Sequence, residues 1–175
     1  MEKQKRLQQL ILIFAMDENK VLGKDNSIPW KSPHDFRWFR YHTTGYSVIM
    51  GRKTWESLPE PSRPLVERVN YVISHNPDYL AEGAIVKTSL QDAIDDSLQK
   101  NEDGLIFVIG GKALLEEAAK LAGKAYVSHI GVKTSIDEMC VMAPELPEHA
   151  VVEINELFGG DEFHPSVKAE VIHFS

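Results

Sequence analysis

The sequence predicts an α/β fold: a single domain built on a mostly parallel eight-stranded central sheet, with an antiparallel C-terminal strand and helices on both faces. Three observations carry this. The apolar runs at residues 10–15 and 105–109 are continuous and rich in β-formers, as strands buried on both faces require. Helix-period segments alternate with such runs through the first three-quarters of the chain, the arrangement that makes parallel neighbours. Two β-rich runs, 151–154 and 167–174, then close the chain and add the antiparallel strand.

Residues 10–15 form the first strand. Lys3, Lys5 and Arg6 ahead of it faintly imitate a signal peptide, but the apolar run is short, Asp17 and Glu18 follow it, and it lacks a small-x-small cleavage site. Residues 17–20 turn the chain, and 21–27 read as an irregular loop placed to act as a lid. Ser32 has N-cap chemistry, Pro33 suits the first helical position and Asp35 the third, so a helix spans 33–43. On it Asp35, Trp38 and Phe39 share a face directed inward. A carboxylate among rings is costly unless something binds it, which makes Asp35 a candidate ligand-binding acid. Ser32-x-x-Asp35 also matches a capping box with Asp in the Glu place, so a purely local role stays open.

Residues 47–50 are a short buried strand, and 51–58 turn from it through Gly51 into a helical segment. That geometry presents backbone N–H groups to an anion, and Arg52 and Lys53 add charge, although a solvated basic pair on a turn would look the same. Three prolines make 59–64 a loop. Strands follow at 68–74 and 84–86. Ser89 caps a helix with Leu90, Ala93, Ile94 and Leu98 as its apolar stripe, while Asp92, Asp95 and Asp96 are assigned to solvent. After the strand at 105–109, Gly110-Gly111 opens the helix at 112–119 and lets a ligand approach bare backbone, a weaker signal than a full G-x-G-x-x-G. Strands at 125–130 and 151–154 come next, and 167–174 alternates in the manner of an antiparallel edge strand. In such sheets ligands bind at the carboxyl ends of strands, where the Gly51 and Gly110 turns both lie.

Composition limits the partners. The 175 residues suffice for one substantial core, and 43% hydrophobic with 26% charged residues is the balance of an ordinary soluble protein. A formal net charge of -7 works against nucleic acid or an anionic membrane as a partner. Cys140 is the only cysteine, which removes intrachain disulfides and thiolate zinc sites and fits a reducing cytoplasm. No run is long enough to cross a bilayer.

Three segments taken together resemble one family: Ile28-Pro29-Trp30 through Asp35, Phe36 and Phe39; Ile49-Met50-Gly51-Arg52-Lys53-Thr54-Trp55-Glu56-Ser57-Leu58-Pro59; and Val108-Ile109-Gly110-Gly111. In order and spacing they are similar to dihydrofolate reductase of the bacterial or phage type, from about Ile11 to Ile130. The resemblance implies a cytoplasmic, monomeric enzyme that transfers hydride from NADPH to C6 of 7,8-dihydrofolate with protonation of N5, at a site that also takes antifolates. It implies Asp35 as the essential acid of the pterin pocket, with Ile13, Ile28, Trp30, Phe36, Phe39, Leu58, Leu65, Ile109 and Ser128 lining it. Arg68 becomes the clamp for the glutamate carboxylate.

On the cofactor side it implies Ala15, Leu22, Gly23, Asn26 and Ser27 near the nicotinamide, and Gly51 and Thr54 at the phosphates. Gly110 and Gly111, joined by a cis peptide, lie against the pyrophosphate with Lys112, Ala113, Leu114 and Leu115 following. Arg52, Lys53, Ser74 and His75 match the adenosine 2′-phosphate end. The chain departs from the family pattern in four places: Leu115 replaces a common tyrosine, Leu65-Val66-Glu67-Arg68 replaces Leu-Pro-Gly-Arg, residues 137–140 lack Gly-Asp-Thr, and Phe14 is bulky. Two alternatives share the fold: the NADPH-dependent pyrimidine reductase of riboflavin synthesis and a non-catalytic nucleotide-binding relative.

Overall fold

The computed structural model describes residues 5, 8–147 and 151–174. Its centre is an eight-stranded sheet in the order β5-β4-β3-β6-β1-β7-β10-β9. These strands are β1 (Leu10–Asp17), β3 (Ser47–Gly51), β4 (Val69–Ile73), β5 (Ile85–Lys87), β6 (Ile106–Gly110), β7 (Lys124–Ile130), β9 (Val151–Gly159) and β10 (Ser166–His173). The pairings from β5 through to β7 are parallel, and β10 runs antiparallel to both β7 and β9. β1 lies between β6 and β7, and Ile11, Leu12 and Val108 are fully buried, as the continuous apolar runs require.

Side chains alternating along β1 feed two cores. Leu10, Leu12 and Phe14 pack with Leu90, Ala93 and Ile94 of α3 (Leu90–Lys100) and with Leu114, Leu115 and Ala118 of α4 (Lys112–Ala119). Ile11 and Ile13 face the other way, onto Met50, Phe107 and Leu65, Trp55 of α2 (Arg52–Ser57), and Phe39 of α1 (Pro33–Thr43). Helices therefore cover both faces, and the bulk of Phe14 fills the α3–α4 side.

Three expectations need correction. Residues 21–27 are not an irregular loop: β2 (Val21–Lys24) pairs antiparallel with β8 (Cys140–Met142), and Asp25 and Asn26, both left-handed, turn the chain beneath it. The strand at 167–174 is not an edge, because β9 lies outside β10. Its alternation reflects one solvated face, with Ser166 and Lys168 exposed while Val167 and Ala169 are buried. Asp96 is not a solvent acid: it accepts from Tyr71 Oη at 2.7 Å and from Lys87 Nζ at 3.1 Å, and pairs with Lys100.

Candidate active site

The first turn of α1 forms as the sequence requires. Ser32 is buried, and its Oγ accepts from the backbone N–H of Asp35 at 3.2 Å, with Pro33 in the opening turn. The second half of the capping box is replaced. The Asp35 carboxylate lies within the influence of the side chain of Ser128, which favours its ionised form; Ser128 is a buried residue of β7 whose strand partner in β1 is Ala15. Burial pushes the Asp35 carboxyl above its ordinary value, and Ser128 offsets this only in part. Asp35 is thus a half-buried acid with a second oxygen's worth of acceptor capacity for a ligand.

α1 spreads its aromatic residues over two neighbours. Phe39 joins the core with Leu58 and Ile109, beside Ile13 and Leu65. Trp38 turns toward β9, where its ring lies 5.5 Å from that of Phe158 and 4.2 Å from that of His42. Ile28 and Phe36 are 52% and 59% exposed, so this end of α1 presents apolar surface beside Asp35, with Trp30 half-buried. Arg68 is held at the far end of the helix: its Nε donates to Val66 O at 2.9 Å, and its guanidinium donates to Thr43 Oγ1 at 3.1 Å and lies over the Phe39 ring. Glu67 adopts the left-handed backbone at φ 58, where the family pattern has glycine, so the altered Leu65–Arg68 turn keeps the glycine conformation.

A second cluster forms where β3 and β6 end. The Gly110–Gly111 peptide is cis, as the resemblance implies. A Cβ on Gly51 would sit 3.7 Å from Gly111 N, and one on Gly110 would meet Thr54 Oγ1 at 3.3 Å. Gly110 also has φ +144, which side-chain-bearing residues rarely adopt. Gly51 and Gly111 are the N-caps of α2 and α4, and neither helix has a side-chain cap bond, so first-turn N–H groups remain for an anion. Gly51 pairs with Ile73, which brings exposed Arg52 and Lys53 alongside buried Ser74 and exposed His75. These residues suit a phosphate-bearing ligand. Arg52 is already 4.0 Å from Glu56 and over the Tyr79 ring.

The remaining residues of the expected set lie in mixed surroundings. Leu114 and Leu115 are buried in the α3–α4 core, so they back the Gly-Gly turn and do not line it. Leu22 also packs against that core, while Gly23 is half-buried and Asn26 and Ser27 lie exposed at the turn after β2. Lys112 lies 3.8 Å from Glu116, and Ala113 is exposed. Sequence reasoning missed Asp17. This acid is 2% exposed and accepts from the backbone N–H groups of Asn19, Val21 and Thr134 at 2.8, 2.9 and 2.6 Å. It ties the ends of β1 and β2 to the segment leading into β8.

The family model described as dihydrofolate reductase matches residues 9–154. The chain belongs to the dihydrofolate reductase family. The dihydrofolate reductase of Bacillus subtilis is 42% identical over 118 residues, 67% of each chain. That of Haemophilus influenzae is 39% identical over 152 residues, 86% of this chain and 89% of the relative. Among solved structures, the dihydrofolate reductase of Enterococcus faecalis complexed with NADP(H) and RAB-propyl superposes with TM-score 0.84 at 27% identity, covering 95% of this chain and 97% of that one. The dihydrofolate reductase match thus extends beyond the shared motifs into β9 and β10. Among the described residues, no helix is long and apolar enough to cross a membrane.

Proposed function

We propose that this chain reduces 7,8-dihydrofolate to 5,6,7,8-tetrahydrofolate with NADPH, as a cytoplasmic monomer. The observation that carries this reading, beside membership of the family, is the half-buried Asp35 carboxylate at the start of α1, pushed up by burial and influenced by Ser128 alone. Its free acceptor capacity suits the amidine-like edge of a pterin, two N–H donors in the plane of a carboxylate. Ile28, Phe36 and the half-buried faces of Trp30, Leu58 and Ile109 supply apolar surface for the pterin and aminobenzoyl rings, and Arg68 meets the glutamate carboxylate with donors its own bonds leave unused.

NADPH supplies the hydride that goes to C6. Gly110, Gly111 and Thr54 hold its phosphates, and Arg52, Lys53, Ser74 and His75 favour the 2′-phosphate. Asp35 orients the pterin and holds negative charge near N5, where a water delivers the proton; this makes Asp35 essential without making it the last donor. Purified protein is expected to consume NADPH when dihydrofolate is added. Turnover of a ribosylaminopyrimidine phosphate in its place, or nucleotide binding with no turnover of either substrate, would remove the reading.

A further inference from the structure

Beside the first turn of α1, side chains from two distant parts of the chain converge. His34 precedes Asp35 in α1, and Asp161 and His164 belong to the turn between β9 and β10. One ligand atom from each lies within 4.8 Å of the others. His34 Nε2 is 3.5 Å from Asp161 Oδ2, and His164 Nδ1 is 2.9 and 3.1 Å from the two oxygens of that carboxylate. The turn is shaped to allow this. Gly159 and Gly160 have φ 75 and 79, and a Cβ on Gly159 would sit 2.8 Å from His34 Cδ2, so only glycine lets the hairpin close over that ring. Asp161 Oδ1 accepts from the backbone N–H groups of Phe163 and His164 at 2.8 and 2.9 Å, which fixes the carboxylate.

The geometry points to a site for one divalent transition-metal ion, ligated by His34 Nε2, Asp161 Oδ2 and His164 Nδ1. Two imidazoles and one carboxylate suit Zn²⁺, Co²⁺, Ni²⁺ or Cu²⁺, whereas Mg²⁺ and Ca²⁺ prefer oxygen alone. Tetrahedral ligands at zinc bond lengths stand about 3.3 Å apart, so the three atoms need only a small closure, available to the side chains of an exposed turn. A fourth position stays open to water. Arg37 opposes the ion. Its guanidinium lies 2.6 Å from His34 Nδ1 and has no acceptor, so Nδ1 accepts and the proton resides on Nε2. On binding, the imidazole proton moves to Nδ1 and Arg37 swings off. The ion then ties the β9–β10 turn to the residue before Asp35, a link independent of which substrate the Asp35 site takes.

Titration of the tag-free chain with Zn²⁺ alone by calorimetry, and with Co²⁺ by visible absorption, tests this. One ion per chain is expected, with a tetrahedral Co²⁺ band and a rise in Tm on adding Zn²⁺, and with Mg²⁺ giving neither. His164→Gln, on the exposed turn, should weaken Zn²⁺ at least tenfold and remove the Co²⁺ band while the far-ultraviolet dichroism is unchanged; His34→Gln should do the same. Arg37→Ala should tighten binding several-fold. Absence of one-equivalent binding, or equal affinity in the wild type and in both histidine variants, would overturn the site.

Discussion

Two acids near the β1–β7 seam, Asp17 and Asp35, have opposite environments. Asp17 is nearly inaccessible, yet its carboxyl sits below the ordinary value: burial would raise it, but the bonds from Val21, Thr134 and Asn19 together outweigh burial. Asp35 keeps more accessible surface but sits above it, because desolvation outweighs the one lowering influence, that of Ser128. Desolvation of the carboxyl and the number of donors aimed at it, not exposure alone, separate them. A saturated carboxylate is a structural tie. An undersaturated one is held ready for a ligand's donors.

Breaking the pair at Asp35 should have the largest effect. Asp35→Asn is expected to lower turnover at neutral pH by about a hundredfold or more, roughly 3 kcal/mol of transition-state stabilisation, with NADPH affinity nearly unchanged in direct titration. Intact activity would return Asp35 to a helix-capping role. Asp17→Ala leaves the N–H groups of Asn19, Val21 and Thr134 without their acceptor and should cost about 2–3 kcal/mol in denaturant unfolding. Arg52→Ala should weaken NADPH by about tenfold, about 1.4 kcal/mol, while leaving NADH little changed, as competitive binding would measure; equal losses would remove the 2′-phosphate assignment.

The pH dependence of stability should separate the acids by sign. Asp17, lowered in the folded state, contributes stability present above its unfolded pKa and lost as pH falls through its folded pKa. Asp35, raised, binds its proton more tightly when folded, so its contribution is present below the unfolded pKa and lost as pH rises through the folded one. Tm profiles of Asp17→Asn and Asp35→Asn should therefore flatten on opposite limbs. Ser128→Ala, the smallest change, should move the Asp35 titration further up.

The same contrast governs what could be read from the chain. The sheet was legible because buried strands announce themselves as continuous apolar runs. The Asp35 turn and both glycine turns were legible because each is carried by one contiguous segment. β2 and β8 escaped because strands of 4 and 3 residues, with a register shift between Val21 and Gly23, have no periodicity to show. Alternation in β10 reports that one face is wet and says nothing about lateral position, hence the mistaken edge. Asp96 was misplaced because Tyr71 reaches it from 25 residues away, and Asp17 looked like a turn residue because its Thr134 donor lies 117 residues on. Leu114 and Leu115 were placed by motif position, which carries no information about which face of the sheet a side chain enters.

Carbon-13 NMR titration of the side-chain carboxyls, with Asp17 and Asp35 assigned through their Asn variants, measures both acids in one sample without substrate or cofactor. Asp35 is expected to titrate above the ordinary aspartate value and Asp17 below it. Coincident titrations, or the reverse order, would contradict this.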